Sequence, residues 1–190
     1  MSRLPLLAAL ALLLTGPATA EAPAAEPARP ALWQLRDPDT TIYLFGTVHM
    51  LPAGVRWLDG RVAQAFDLAD TLVLEIVLPD DPMQMMALMT AIGRSPGLPP
   101  LVQRVPEAQR ARLTVLLKRY GIPAGGLDGY ETWAAALLLQ SAVLAGAGFS
   151  SAEGVEATLV ARAKAAPKRL EGLETVEQQL AIFDELPEAD

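Results

Sequence analysis

The run Thr71-Leu72-Val73-Leu74-Glu75-Ile76-Val77 decides the class of this chain. It is nearly continuous in aliphatic residues and lacks the polar alternation of a half-exposed strand. Such a run reads as a strand buried in a sheet covered on both faces. Just before it, residues 57–69 repeat Leu58, Val62, Ala65, Phe66 and Ala69 at intervals of three and four, which is the period of a helix. Earlier still, residues 40–45 are rich in β-branched and aromatic side chains and read as a strand. Residues 31–36 alternate loosely, and Asp37-Pro38-Asp39 between the two segments is a turn signal, so together they read as a hairpin. Strand 40–45, helix 57–69 and strand 71–77 form a βαβ unit, with 51–54 as loop. The class is α/β.

Downstream the pattern turns helical. Asp81-Pro82 opens a helix carrying Met83, Met85, Met86 and Met89. Residues 93–100 are irregular. Residues 106–120 form a helix with Pro near its first turn and Gly121 beyond its end. Two more helices are expected at about 129–145 and 151–165. Arg169-Leu170-Glu171-Gly172-Leu173-Glu174 is a short strand, and Thr175 caps a last helix over 176–186, with Gln178 at the capping-box position. The organisation expected is a mixed central sheet with helices on its faces and a helical insertion over about 82–165. Three or four strands are few for a buried strand that needs neighbours on both sides. The domain, residues 31–190, is therefore expected to be incomplete at its C-terminus.

The N-terminus carries an address. Met1-Ser2-Arg3 is a short positive start, residues 4–14 are apolar, and Ala18-Thr19-Ala20 has the small-x-small pattern of a signal peptidase site. Residues 1–20 are expected to be removed, leaving no stable transmembrane helix and a flexible leader over 21–30. The mature protein is expected to be exported, to the periplasm. The formal charge is −7 at pH 7, and loss of Arg3 with the signal makes it −8. That balance argues against nucleic acid and anionic membrane surfaces as partners. The chain has no cysteine, which excludes disulfides, a lipid-modified N-terminus, a thiol nucleophile and a thiolate metal site.

The chemistry-bearing candidates are polar residues in apolar context. His49 is the only histidine and follows strand 40–45 through Gly46-Thr47-Val48. It reads equally as a loop residue or as the ligand or base of a site at a strand end. Glu75 interrupts the apolar run 71–77, either at the strand's exposed end or as a paired carboxylate. Glu174 lies between a strand and a helix, where helix-dipole stabilisation alone would favour an acid. Glu156, in Gly154-Val155-Glu156, either points inward from a first helical turn or is solvated surface. One imidazole with two or three carboxylates suits Mn, Co, Fe or Zn. No serine sits in a Gly-x-Ser-x-Gly elbow, and phosphate-loop and His-Glu-x-x-His motifs are absent.

Trp33-Gln34-Leu35, Ile42-Tyr43-Leu44-Phe45-Gly46-Thr47-Val48-His49, Leu58, Leu74-Glu75 and Gly172-Leu173-Glu174-Thr175-Val176-Glu177-Gln178-Gln179 together resemble the TraB/GumN family, in order and at family-like spacing. That family is similar to Tiki-type metalloproteases and, more distantly, to erythromycin-esterase and ChaN-like proteins. The resemblance implies metal-dependent hydrolysis, most plausibly of a peptide bond, on a peptide or small-molecule substrate. His49, Glu75 and Glu174 would hold a divalent metal, with Glu75 and Glu174 also as the catalytic carboxylates. The family pattern continues to a second Gly-x-x-His motif, which this chain lacks. The chain is thus expected to be either a fragment or a short form that has lost the site. A non-catalytic binder of haem or another small molecule, with His49 as axial ligand and the methionine-rich helix lining its pocket, is the alternative. An accessory role in envelope or polysaccharide processes is a further one.

Overall fold

A computed structural model describes residues 28–58 and 60–186. The expected signal segment and most of the expected leader lie outside the described residues. Leader residues 28–30 are placed against the body, where the Ala28 N–H donates to the Arg56 carbonyl at 2.8 Å.

The fold is mixed α/β, as expected. Strands β1 (Leu32–Arg36) and β2 (Thr41–Phe45) form the anticipated hairpin, in register from Leu32 opposite Phe45 to Arg36 opposite Thr41. Asp37 shapes its turn by accepting from the backbone N–H groups of Thr40 (2.7 Å) and Asp39 (3.2 Å). Those donors favour the ionised form and hold the Asp37 carboxyl below the usual carboxylate range. Helix α1 (Gly60–Leu68) follows, then strand β4 (Thr71–Ile76). Residues 51–54, read as loop, contain a short strand β3 (Leu51–Pro52), which pairs antiparallel with β5 (Phe149–Ser150).

The βαβ expectation is corrected in its connectivity. Among the described residues β2 pairs with β1, whereas β4 pairs in parallel with β6 (Arg169–Glu174), about a hundred residues later. The crossover between them carries α2 (Pro82–Ile92), α3 (Leu101–Arg104), α4 (Glu107–Arg119), α5 (Thr132–Gly146), a 3₁₀ turn at Ser151–Glu153 and α6 (Val155–Ala165). Among the described residues the expected central sheet is present as three two-stranded pieces. For the same reason the run 71–77 is less buried than its composition suggests. With one strand neighbour, β4 buries Leu74 while Val73 stays 50% exposed. The hairpin has a comparable apolar outer face of Trp33, Leu35, Ile42 and Leu44, all exposed.

Three apolar clusters hold the helices. The one that matters for function joins Trp57, Val62 and Phe66 to Val155, Leu159 and Ala163, with Phe45, Leu51 and Leu72 against it. It fixes α6 to α1 and to the end of β2. Trp57, expected within a helix, lies in the loop before α1 and supplies this core rather than a helical turn. The second gathers Met89, Ala134, Val176 and Leu180, and the third Leu101, Leu117, Leu127 and Ala135. Of the methionines on α2, Met89 is buried, whereas Met83 and Met86 are exposed.

Helix α7 (Val176–Asp184) begins with the reciprocal capping box read from the sequence. The Gln178 N–H donates to Thr175 Oγ1 at 3.1 Å, and the Thr175 N–H donates to Gln178 Oε1 at 2.8 Å. Thr175→Ala removes one satisfied helix-terminal donor and is expected to lower stability by about 1 kcal/mol. The check is the urea midpoint of unfolding followed by circular dichroism, with an unchanged slope.

Candidate functional site

Phe45 ends β2 by stacking on Trp57, with ring centroids 5.9 Å apart and 22° between planes. The chain then leaves the sheet through Gly46 and runs as Thr47-Val48-His49 onto the N-terminus of α6. Three contacts seat it there. The Val155 N–H donates to the Val48 carbonyl at 3.0 Å. Gly154 presses its backbone against the His49 carbonyl so closely that a Cβ built on it would lie 2.2 Å from that oxygen. Glu156 Oε1 accepts from the Thr47 hydroxyl and lies 3.0 Å from His49 Nδ1.

The first turn of α6 is thereby committed to this loop. The His49 side chain is 79% exposed, and that of Glu156 only 22%. Glu156 Oε2 is buried, with no hydrogen-bond partner among the described residues. The loop is distant in sequence from Gly154 and Glu156 and adjoins them only because the Trp57 core docks α6 beside the end of β2.

The other two candidates do not join this arrangement. Glu75 is exposed on β4, and Glu174 is exposed at the end of β6. Ile76 is in register with Glu174, and successive strand residues point to opposite faces, so Glu75 and Glu174 project from opposite faces of the β4–β6 pair. One crevice beside His49 takes one of them, not both. Glu156 is the residue whose partnership the sequence left open. Its only local signal is the small-x-acid pattern at a helix start, which is common on solvated surfaces. An open cavity of about 460 Å³ lies elsewhere, between Arg94, Ser95, Leu98 and Asp128, and none of these candidates lines it.

Whether a divalent metal suits these residues turns on the donors. A ligating histidine is ordinarily held by a carboxylate or carbonyl on its other ring nitrogen, and His49 has that support from Glu156. The kind of donor fits. The number is short: catalytic sites for such ions commonly use three protein donors, and among the described residues no group of three His, Asp or Glu side chains is close enough together to hold a metal ion.

No curated protein and no solved structure gave a match to the chain. The model of the TraB/PrgY/gumN family matches residues 31–190, which takes in every strand and helix described above. The chain belongs to the TraB/PrgY/gumN family.

Proposed function

We propose that this chain is a metal-dependent hydrolase of the TraB/PrgY/gumN family, acting on peptide bonds after export to the periplasm. The single observation that carries the reading is an imidazole exposed at a strand end with a shielded carboxylate on its Nδ1. Family membership and the signal-like N-terminus support it. A bound divalent ion would polarise the substrate carbonyl and make water acidic enough to ionise near neutral pH.

The residues of the chain divide the remaining work. His49 would hold the ion through a ring nitrogen. Glu156 holds the ring at Nδ1, and the loop 46–49 is seated on the first turn of α6. The general base would be one of the two strand-end carboxylates, Glu75 or Glu174, brought to the ion on substrate binding.

The test is cleavage of a mixed-sequence fluorogenic peptide library by purified protein, first stripped with chelator and then reloaded with Mn, Co, Fe or Zn. Cleavage is expected after reloading, to be abolished again by chelator, and to fall about 100-fold or more in His49→Ala. Cleavage that survives chelator, or is unchanged in His49→Ala, contradicts the reading. So does the absence of cleavage with every ion.

A further inference from the structure

We infer that Glu156 is the positioning residue of His49: it locks the neutral imidazole in the Nδ1–H tautomer and leaves Nε2 as the one ring nitrogen able to bind or take a proton. The inference rests on the hydrolase reading for its purpose but not for its test.

The physical case begins with the 3.0 Å separation of Nδ1 and Glu156 Oε1. A carboxylate oxygen offers only lone pairs. A bare Nδ1 at that distance would set two lone pairs against each other, so the ring proton belongs on Nδ1. The neutral ring then carries no proton on Nε2, which lies on the opposite edge of an imidazole that is 79% exposed.

Glu156 is suited to enforce this choice. Its Oε2 is buried and has no hydrogen-bond partner among the described residues, while Oε1 faces both the Thr47 hydroxyl and His49. Burying a carboxylate without donors is costly. The two donors that the carboxylate does have, both on Oε1, come from the 46–49 loop, so it gains them only when the loop is seated and the ring is in this tautomer. The backbone reinforces the register. Val155 N–H on the Val48 carbonyl, and Gly154 against the His49 carbonyl, set the loop's position relative to the first turn of α6. The backbone contacts set the register, and the side chain of Glu156, besides its hydrogen bond from Thr47, selects the tautomer of the ring. A purely structural role for Glu156 would stabilise the loop but would have no reason to choose between the two ring nitrogens.

The chain provides an unusually clean test because His49 is its only histidine. Long-range proton–nitrogen correlation spectra of ¹⁵N-labelled full-length protein, recorded metal-free at alkaline pH with the ring neutral, contain a single imidazole. Wild type is expected to show Nδ1 protonated and Nε2 bare. Glu156→Ala is expected to lose that pattern in favour of Nε2–H. Glu156→Gln, whose amide can accept from Nδ1–H or donate to a bare Nδ1, is expected to relax the preference to a mixture of the two tautomers. Affinity for added Zn²⁺ is expected to fall about 10- to 100-fold in Glu156→Ala and less in Glu156→Gln.

An Nε2–H pattern in wild type overturns the inference, as does the wild-type pattern persisting in a folded Glu156→Ala. If Glu156→Ala does not fold, the wild-type spectrum decides on its own, since it must show Nδ1–H, and Nε2–H there overturns the inference. The hydrolase reading can fail in the peptide assay while the tautomer result stands. Conversely, a wrong tautomer leaves the chelator and His49→Ala outcomes untouched.

Discussion

Trp57→Ala is expected to destabilise the protein by about 4 kcal/mol, within the range for truncating a buried tryptophan. Trp57 is 6% exposed and packs into the cluster that joins α1 to α6, while its ring also stacks on Phe45. Truncation to alanine removes more than transfer energy. It opens a cavity whose walls are Val62, Phe66, Val155 and Leu159, and these belong to two helices that cannot collapse onto it without moving α6. Because Phe45 is the last residue of β2, the loss also frees the point from which the 46–49 loop departs. Denaturant unfolding followed by circular dichroism is the check on stability. The imidazole and amide signals of residues 46–49 are expected to broaden in whatever fraction remains folded. A loss below about 1 kcal/mol would mean that this cluster is not what joins the helix to the sheet.

Gly154→Ala is expected to cost about 3 kcal/mol, the upper part of the range for overpacking. The argument is steric, not conformational. Gly154 has φ −59° and ψ 155°, which any residue adopts. On backbone freedom alone the alanine would stabilise by about 0.4–1 kcal/mol through the unfolded chain. The added Cβ, however, would lie 2.2 Å from the His49 oxygen, 2.8 Å from the His49 carbonyl carbon and 2.9 Å from the Ser151 oxygen. All three are backbone atoms, so no side chain can swing away. Relief requires the loop to lift off α6, which also breaks the Val155 to Val48 hydrogen bond and draws His49 away from Glu156. The variant is therefore expected to lose the imidazole tautomer signature as well as stability. A Gly154→Ala protein as stable as wild type would contradict the close seating of the loop.

What could be read from the sequence follows the range of the interactions. The hairpin was legible because its turn residue, Asp37, acts on its neighbours two and three positions away. The capping box of α7 was legible because Thr175 and Gln178 are three residues apart. The class was legible from the apolar run at 71–77. The partner of that strand was not, since nothing local to Thr71–Ile76 specifies pairing with Arg169–Glu174 across five helices. The same limit applies to the site. His49 stands out by being the only imidazole, and Gly46 before it marks the loop, but Glu156 looks like any acid in a first helical turn. Its significance comes from Gly154 allowing the loop to approach, which is visible only once α6 is docked. The placement of Glu75 and Glu174 shows the converse. Both occupy strand-end positions suggestive of a shared crevice, and it is the parallel register that turns them to opposite faces.

The most direct measurement of the proposal that His49 would hold a divalent metal is an equilibrium titration of full-length protein with Zn²⁺ and Mn²⁺ by isothermal calorimetry. Wild type is compared with His49→Ala at matched folding. The expected result is one divalent ion per chain in wild type and a loss of affinity of about 10-fold or more in His49→Ala. Equal affinity in the two proteins, or no binding of either ion to wild type, would contradict it.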